Sequence, residues 1–106
     1  MWYQEYEFVF KQFKKGHRLV DETVFFFRSD PERDEHYIGY CPAESKPYWA
    51  GLCDLPDGTE FSTAEKLFEA KIYDGRSIRE RWEDLVFESM AGIPVEEISE
   101  TWFDNT

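Results

Sequence analysis

The chain has 106 residues, enough for one domain spanning 1–106 with a hydrophobic core but little stability to spare. Charged residues make up 33% and the net charge is −11, yet aromatics reach 19%, which excludes a disordered acidic tail because such chains are poor in aromatics. The same charge excludes direct binding to nucleic acid or acidic membranes, which it repels, and favours a basic protein partner.

No apolar stretch approaches the ~20 residues of a membrane helix. Met1 to Glu5 lacks the basic and then apolar layout of a signal peptide. Both features predict a cytoplasmic protein, and Cys41 and Cys53 suit that compartment as reduced thiols.

The first half reads as strands. Trp2, Tyr6, Phe8 and Phe10 alternate with Glu5, Glu7 and Lys11, which predicts a strand with one buried face. Lys14 to His17 reads as a turn. Thr23 to Phe27 is β-branched and aromatic on both faces, the pattern of a central strand. Asp30 to Glu35 is a polar loop broken by Pro31. His36 to Cys41 and Tyr48 to Cys53 form a hairpin pair joined by Pro42 to Pro47. Leu55 to Thr59 closes the strand region as a turn.

The second half reads as helices. Ser62 and Glu65 have the spacing of a capping box, followed by Ala64, Leu67, Phe68 and Ile72 at helical intervals. Ser77 and Glu80 repeat the box, and Ile78, Trp82, Leu85 and Val86 give the stripe of an amphipathic helix that Gly92 would stop. Pro94 can open a short last helix with Val95, Ile98 and Trp102 inside. Strands followed by helices imply α+β: an antiparallel sheet of about four strands with about three helices packed on one face.

Catalytic motifs are missing. There is no dinucleotide-binding glycine pattern, no phosphate loop, no His-Glu-x-x-His and no nucleophile elbow, so neither an enzyme nor a bound cofactor is expected. Asp30 to His36 begins like a calcium loop, then places Glu35 where Gly is needed and Cys41 where a bidentate Glu is needed, so it is a solvated turn. A hairpin centred on residues 44 and 45 sets Cys41 against Tyr48 and Cys53 against His36. That register leaves the thiols on opposite faces and offers no metal site.

The charge is lopsided. Residues 82–106 hold seven acids and no Lys or Arg, so they carry −7, while the first 81 residues carry −4. Glu80, Asp84 and Glu88 fall at successive spacings of four, as do Glu96 and Glu100, which costs a helix a few tenths of a kcal/mol per pair. A cost retained on adjacent helices suggests use. The pattern suits a small acidic inhibitor of a basic partner: a nucleic-acid mimic, anti-CRISPR-like or nuclease-immunity-like, of the kind made by bacteria and phages. Glu83, Asp84, Glu88, Glu96, Glu97 and Glu100 are its expected contact charges, with Phe87 as an exposed anchor. Two alternatives remain. One is a peptide- or ligand-binding groove built on Tyr37, Tyr40, Tyr48 and Trp49, near Pro42 and Pro47. The other is an oligomeric subunit pairing through an edge strand from Trp2 to Phe10.

Overall fold

The computed structural model describes residues 4–52 and 55–105, with the backbone alone at 52, 55–58, 104 and 105. Trp2 and Cys53 therefore lie outside the described residues. The chain is α+β. Six antiparallel strands lie in the order β4-β3-β2-β1-β5-β6: β1 Glu22–Phe27, β2 His36–Tyr40, β3 Tyr48–Leu52, β4 Leu55–Phe61, β5 Leu85–Met90 and β6 Ile93–Pro94. Two α-helices, α1 Tyr6–Lys14 and α2 Ala64–Glu69, pack on one face. No described helix is long and apolar enough to cross a membrane.

The segment expected as the first strand is α1. Its buried set includes Val9 and Phe13, with Tyr6 and Phe10 packed against them, and these four recur at i, i+3, i+4 and i+7. Phe8 blurs that period because it has its own cover, the Phe103 ring at 5.3 Å. The expected turn at Lys14 to His17 is the helix stop. Gly16 takes φ +66, its N–H donates to Phe13 O and the His17 N–H donates to Gln12 O, both at 3.0 Å, closing a Schellman cap.

The three central strands form where expected, but the β2–β3 hairpin is shifted by one residue. Tyr40 pairs with Tyr48 and His36 with Leu52. The Cys41 N–H donates to Pro47 O at 2.7 Å and so closes the loop one step earlier. A one-residue slip exchanges faces, so Cys41, a free half-buried thiol, leaves the Tyr48 side. Leu55 to Thr59 is not a closing turn but part of β4, paired Trp49 to Glu60 and Ala50 to Thr59. Pro56 and Gly58 are tolerated there because β4 is an edge strand.

The largest departure follows α2. The helix starts one residue later than the capping box implied, with Thr63 Oγ1 accepting from Lys66 N at 3.1 Å. The second box does form: Ser77 N donates to Glu80 Oε1 at 2.9 Å and Glu80 N to Ser77 Oγ at 3.1 Å. No α-helix grows from it. A turn and a 3₁₀ segment, Trp82–Asp84, lead into β5, which supplies the second neighbour of β1. Pairing Phe25 with Phe87 and Phe27 with Leu85 outweighs the helical spacing of Ile78, Trp82 and Leu85, all of which remain buried. Ala91 and Gly92, at φ 52 and 79, form the two-residue turn of the β5–β6 hairpin, not a helix stop. The expected last helix is two 3₁₀ segments, Val95–Glu97 and Glu100–Asn105. Val95 and Ile98 are buried as expected. Phe103, not Trp102, fills the third core position, leaving Trp102 38% exposed.

The β5 edge of the sheet is guarded. β6 is two residues long, so most of β5 has no strand on its side away from β1. The Gln4 amide stands in for one: Nε2 donates to Leu85 O at 2.5 Å and Oε1 accepts from Phe87 N at 3.1 Å. With residues 6–14 helical, the proposed edge-to-edge pairing through that segment is removed.

Candidate functional site: an acidic, aromatic open sheet face

The sheet has two unlike faces. Thr23, Phe25, Phe27, His36, Ile38, Tyr48, Ala50, Leu85, Phe87 and Met90 point toward the helices and are buried there. The alternate residues point the other way, where no described element covers them. Cross-strand register arranges them in rows. One row runs Glu60–Trp49–Gly39–Glu22. The next runs Gly51–Tyr37–Val24–Ser89, and a third pairs Phe26 with Val86. Phe26, Tyr37, Trp49 and Val86 are half-buried, and Val24 is covered by its neighbours.

Trp49 lies down on the sheet because two glycines make room. A Cβ on Gly39 would stand 2.6 Å from Trp49 Cε2 and would collide with the Asp21 carbonyl oxygen. On Gly51 it would be 3.8 Å from the same indole. The ring is thus flat over β2, with Glu60 on one side of its row and Glu22 on the other.

Carboxylates surround this apolar centre. The Tyr37 hydroxyl donates to Glu35 Oε1 at 3.0 Å, which pushes the Tyr37 pKa up, with smaller contributions from Glu22 and Glu88. Glu88 enters from the bulge where β5 shifts register against β1. Burial, then the neighbouring Glu35 carboxyl, raises the Glu88 pKa, and Arg33 partly offsets this. Its Oε1 is enclosed without a hydrogen-bond partner among the described residues. Arg33 lies with its guanidinium 5.2 Å from the Phe26 ring centre, held by a loop in which Asp30 accepts from Glu32 N and Asp34 N. Those bonds keep the Asp30 carboxyl below its usual range and use the oxygens that a calcium loop would offer. No group of three or more His, Cys, Asp or Glu in the described residues is placed to hold a metal ion.

Four bases on the helical side are matched to acids. Lys14–Glu65 at 3.4 Å, Lys71–Glu80 at 3.0 Å, Arg79–Glu69 at 3.6 Å and Arg81–Asp84 at 3.2 Å all join residues of the helical layer and the segment before β5. Glu22 and Glu60 form no ion pair with the described residues. At the far end of the face Arg28 turns away, donating from Nη1 to the Glu83 carbonyl at 3.0 Å.

No protein-family model, curated protein or solved structure matches this chain. The function must come from its own surface.

The seven residues expected at a partner interface are not one helical face. Phe87 is 3% exposed, because β5 turns it into the core against Trp82 at 5.3 Å, so it is no surface anchor. Asp84 is engaged internally, accepting from Ser29 N at 2.8 Å, from Ser29 Oγ and from Arg81 Nη2 at 3.2 Å. The Ser29 hydroxyl and Arg81 hold its carboxyl below the usual range. It lines a polar cleft of about 450 Å³ with Ser29, Asp74, Glu80, Arg81 and Glu83. Arg81 is fully employed there, 3.6 Å above the Phe27 ring and bonded to Tyr73 O, so the cleft is a structural joint. Glu88 is the one predicted residue that reaches the open face. Glu83, Glu96 and Glu97 are exposed and Glu100 half-buried, outside the rows described above. The aromatic groove is also split: Tyr37 and Trp49 share the open face, whereas Tyr40 and Tyr48 meet on the other at 4.8 Å. Sequence reasoning missed Glu22, Glu60 and Phe26. The alternation Glu22, Val24, Phe26 was a usable signal, hidden by the unbroken apolar run around it.

Proposed function

We propose that this protein is a binding module, not an enzyme: a small acidic inhibitor that covers a basic surface of a partner protein with the open face of its sheet. One observation carries this. Phe26, Tyr37, Trp49 and Val86 form an apolar, largely aromatic centre, open apart from the Arg33 guanidinium over Phe26 and bordered by Glu22, Glu35, Glu60 and Glu88. Trp and Tyr dominate interface energetics when a partner excludes water from them, and surrounding charge sets orientation and association rate. A sheet fixes carboxylates as firmly as helices would, so the requirement of a rigid acidic array is met by a different element. The nucleic-acid channel of an enzyme, or the active surface of a basic nuclease, has the matching chemistry.

Neither histidine favours catalysis on this face. His17 is buried against Phe103, Nδ1 accepting from Leu19 N at 3.1 Å and Nε2 lying 3.3 Å from Trp102 O. His36 is enclosed by Phe25, Phe27 and Tyr73.

The test is capture of a basic protein from source-cell lysate at graded salt with two charge-reversed variants. Glu22/Glu35/Glu60→Lys should lose the captured protein, and Glu96/Glu97/Glu100→Lys should keep it. The opposite pattern would move the interface to the C-terminal segment and overturn the proposal.

A further inference from the structure

We infer that the partner delivers an arginine onto Trp49, its guanidinium lying on the indole between Glu22 and Glu60. This rests on the open face being the docking surface.

The protein already contains this arrangement once, filled by its own side chain. Arg33 places its guanidinium 5.2 Å from the Phe26 ring centre, close enough to Glu88 to lower that carboxyl's pKa. Its backbone takes φ 54 to do so, an uncommon conformation for a residue with a side chain. Two rows away, Trp49 presents the same components: an aromatic ring flat on the sheet, with a carboxylate on the neighbouring strand to one side and another across the Gly39 strand. Among the described residues no cation lies over Trp49, and neither carboxylate is ion-paired.

The shape favours arginine over lysine. A guanidinium is planar, stacks on an indole and can direct N–H donors to both sides in its own plane. An ammonium is a compact, strongly hydrated point charge that cannot cover the ring and reach two carboxylates on opposite sides at once. Indole is also the best ring for a cation, within about 6 Å of its centre. Gly39 beneath the ring and Gly51 beside it let the indole sit low on the sheet.

The test is a ¹H–¹⁵N NMR titration of the whole chain with two capped octapeptides of equal charge, one alternating Gly and Arg, the other Gly and Lys. The Trp49 indole signal should move with both, and the arginine peptide should saturate it at a concentration lower by about three-fold or more. Glu22→Gln/Glu60→Gln alters two exposed side chains and should erase that preference without changing the rest of the spectrum. Trp49→Phe, read on the Gly39 and Gly51 backbone amides, should reduce it. Equal affinity of the two peptides, with Trp49 still responding, would overturn the arginine inference and leave the docking face standing. A silent Trp49, with shifts confined to residues 96–100, would overturn both.

Discussion

Replacing Gly39 by Ala tests how closely the open face is built. The added methyl would meet Trp49 Cε2 at 2.6 Å and would lie even closer to the Asp21 carbonyl oxygen. Trp49 can swing outward, since it is only half-buried. The Asp21 carbonyl cannot move without loosening its bond from the Tyr40 N–H at 3.3 Å and the 3₁₀ turn Arg18–Val20 before it. Overpacking costs roughly 1–3 kcal/mol, and the weakened hydrogen bond about 1 more, so the expected loss is about 2–4 kcal/mol. For a domain of this size that lowers Tm by roughly 10–25 °C. Gly51→Ala is the matched control. Its methyl would be 3.8 Å from the indole, an ordinary contact, so its effect should stay within about 1 kcal/mol. Urea unfolding followed by far-UV circular dichroism gives both values, with m unchanged. If Gly39→Ala matches the parent protein within about 0.5 kcal/mol, the indole does not lie on Gly39 and the described surface is wrong.

Three further outcomes follow from the packing and the charges. Phe87→Ala should lose about 3–5 kcal/mol in urea unfolding, as a buried Phe does; a loss under about 1 would return Phe87 to the surface. Gln4→Ala leaves Leu85 O and Phe87 N without their amide partner and should cost about 1–3 kcal/mol, with faster hydrogen exchange at Phe87; unchanged exchange there would contradict the edge-covering role. The raised Glu88 pKa favours the protonated form in the fold. That contribution to stability is complete below the unfolded-state pKa of about 4.3 and fades as pH rises through the folded value. Glu88→Gln should therefore gain on the parent protein as pH goes from about 4 to 7, and a pH-independent difference would refute the burial of that carboxyl.

The α+β class and the three central strands were legible because Thr23 to Phe27, His36 to Tyr40 and Tyr48 to Leu52 combine β-branched and aromatic residues with clear loop signals between them. The ends of the chain misled for a shared reason. Residues 6–13 satisfy a two-residue period through Phe8 and a helical period through Val9, and only tertiary cover decides between them. Residues 77–86 carry a true capping box and a helical stripe, yet β1 needed a second neighbour, and a ladder partner cannot be read from local spacing. The site suffered accordingly. Glu88 was found from charge alone, whereas Phe87 was expected outside because a helical wheel and a strand put it on opposite sides. Glu22 and Glu60 become site residues only when the register sets them on either side of Trp49 and Gly39.

Two indoles mark the competing surfaces. Trp49 lies at the centre of the open face, Trp102 stands beside the C-terminal acids, and Trp82, whose Nε1–H donates to Gln4 O at 3.1 Å, is an internal reference. The decisive measurement is the ¹H–¹⁵N signal of each indole on addition of the captured basic partner. Trp49 should shift while Trp82 and Trp102 hold still. A shift of Trp102 with Trp49 unmoved would contradict docking through the open face.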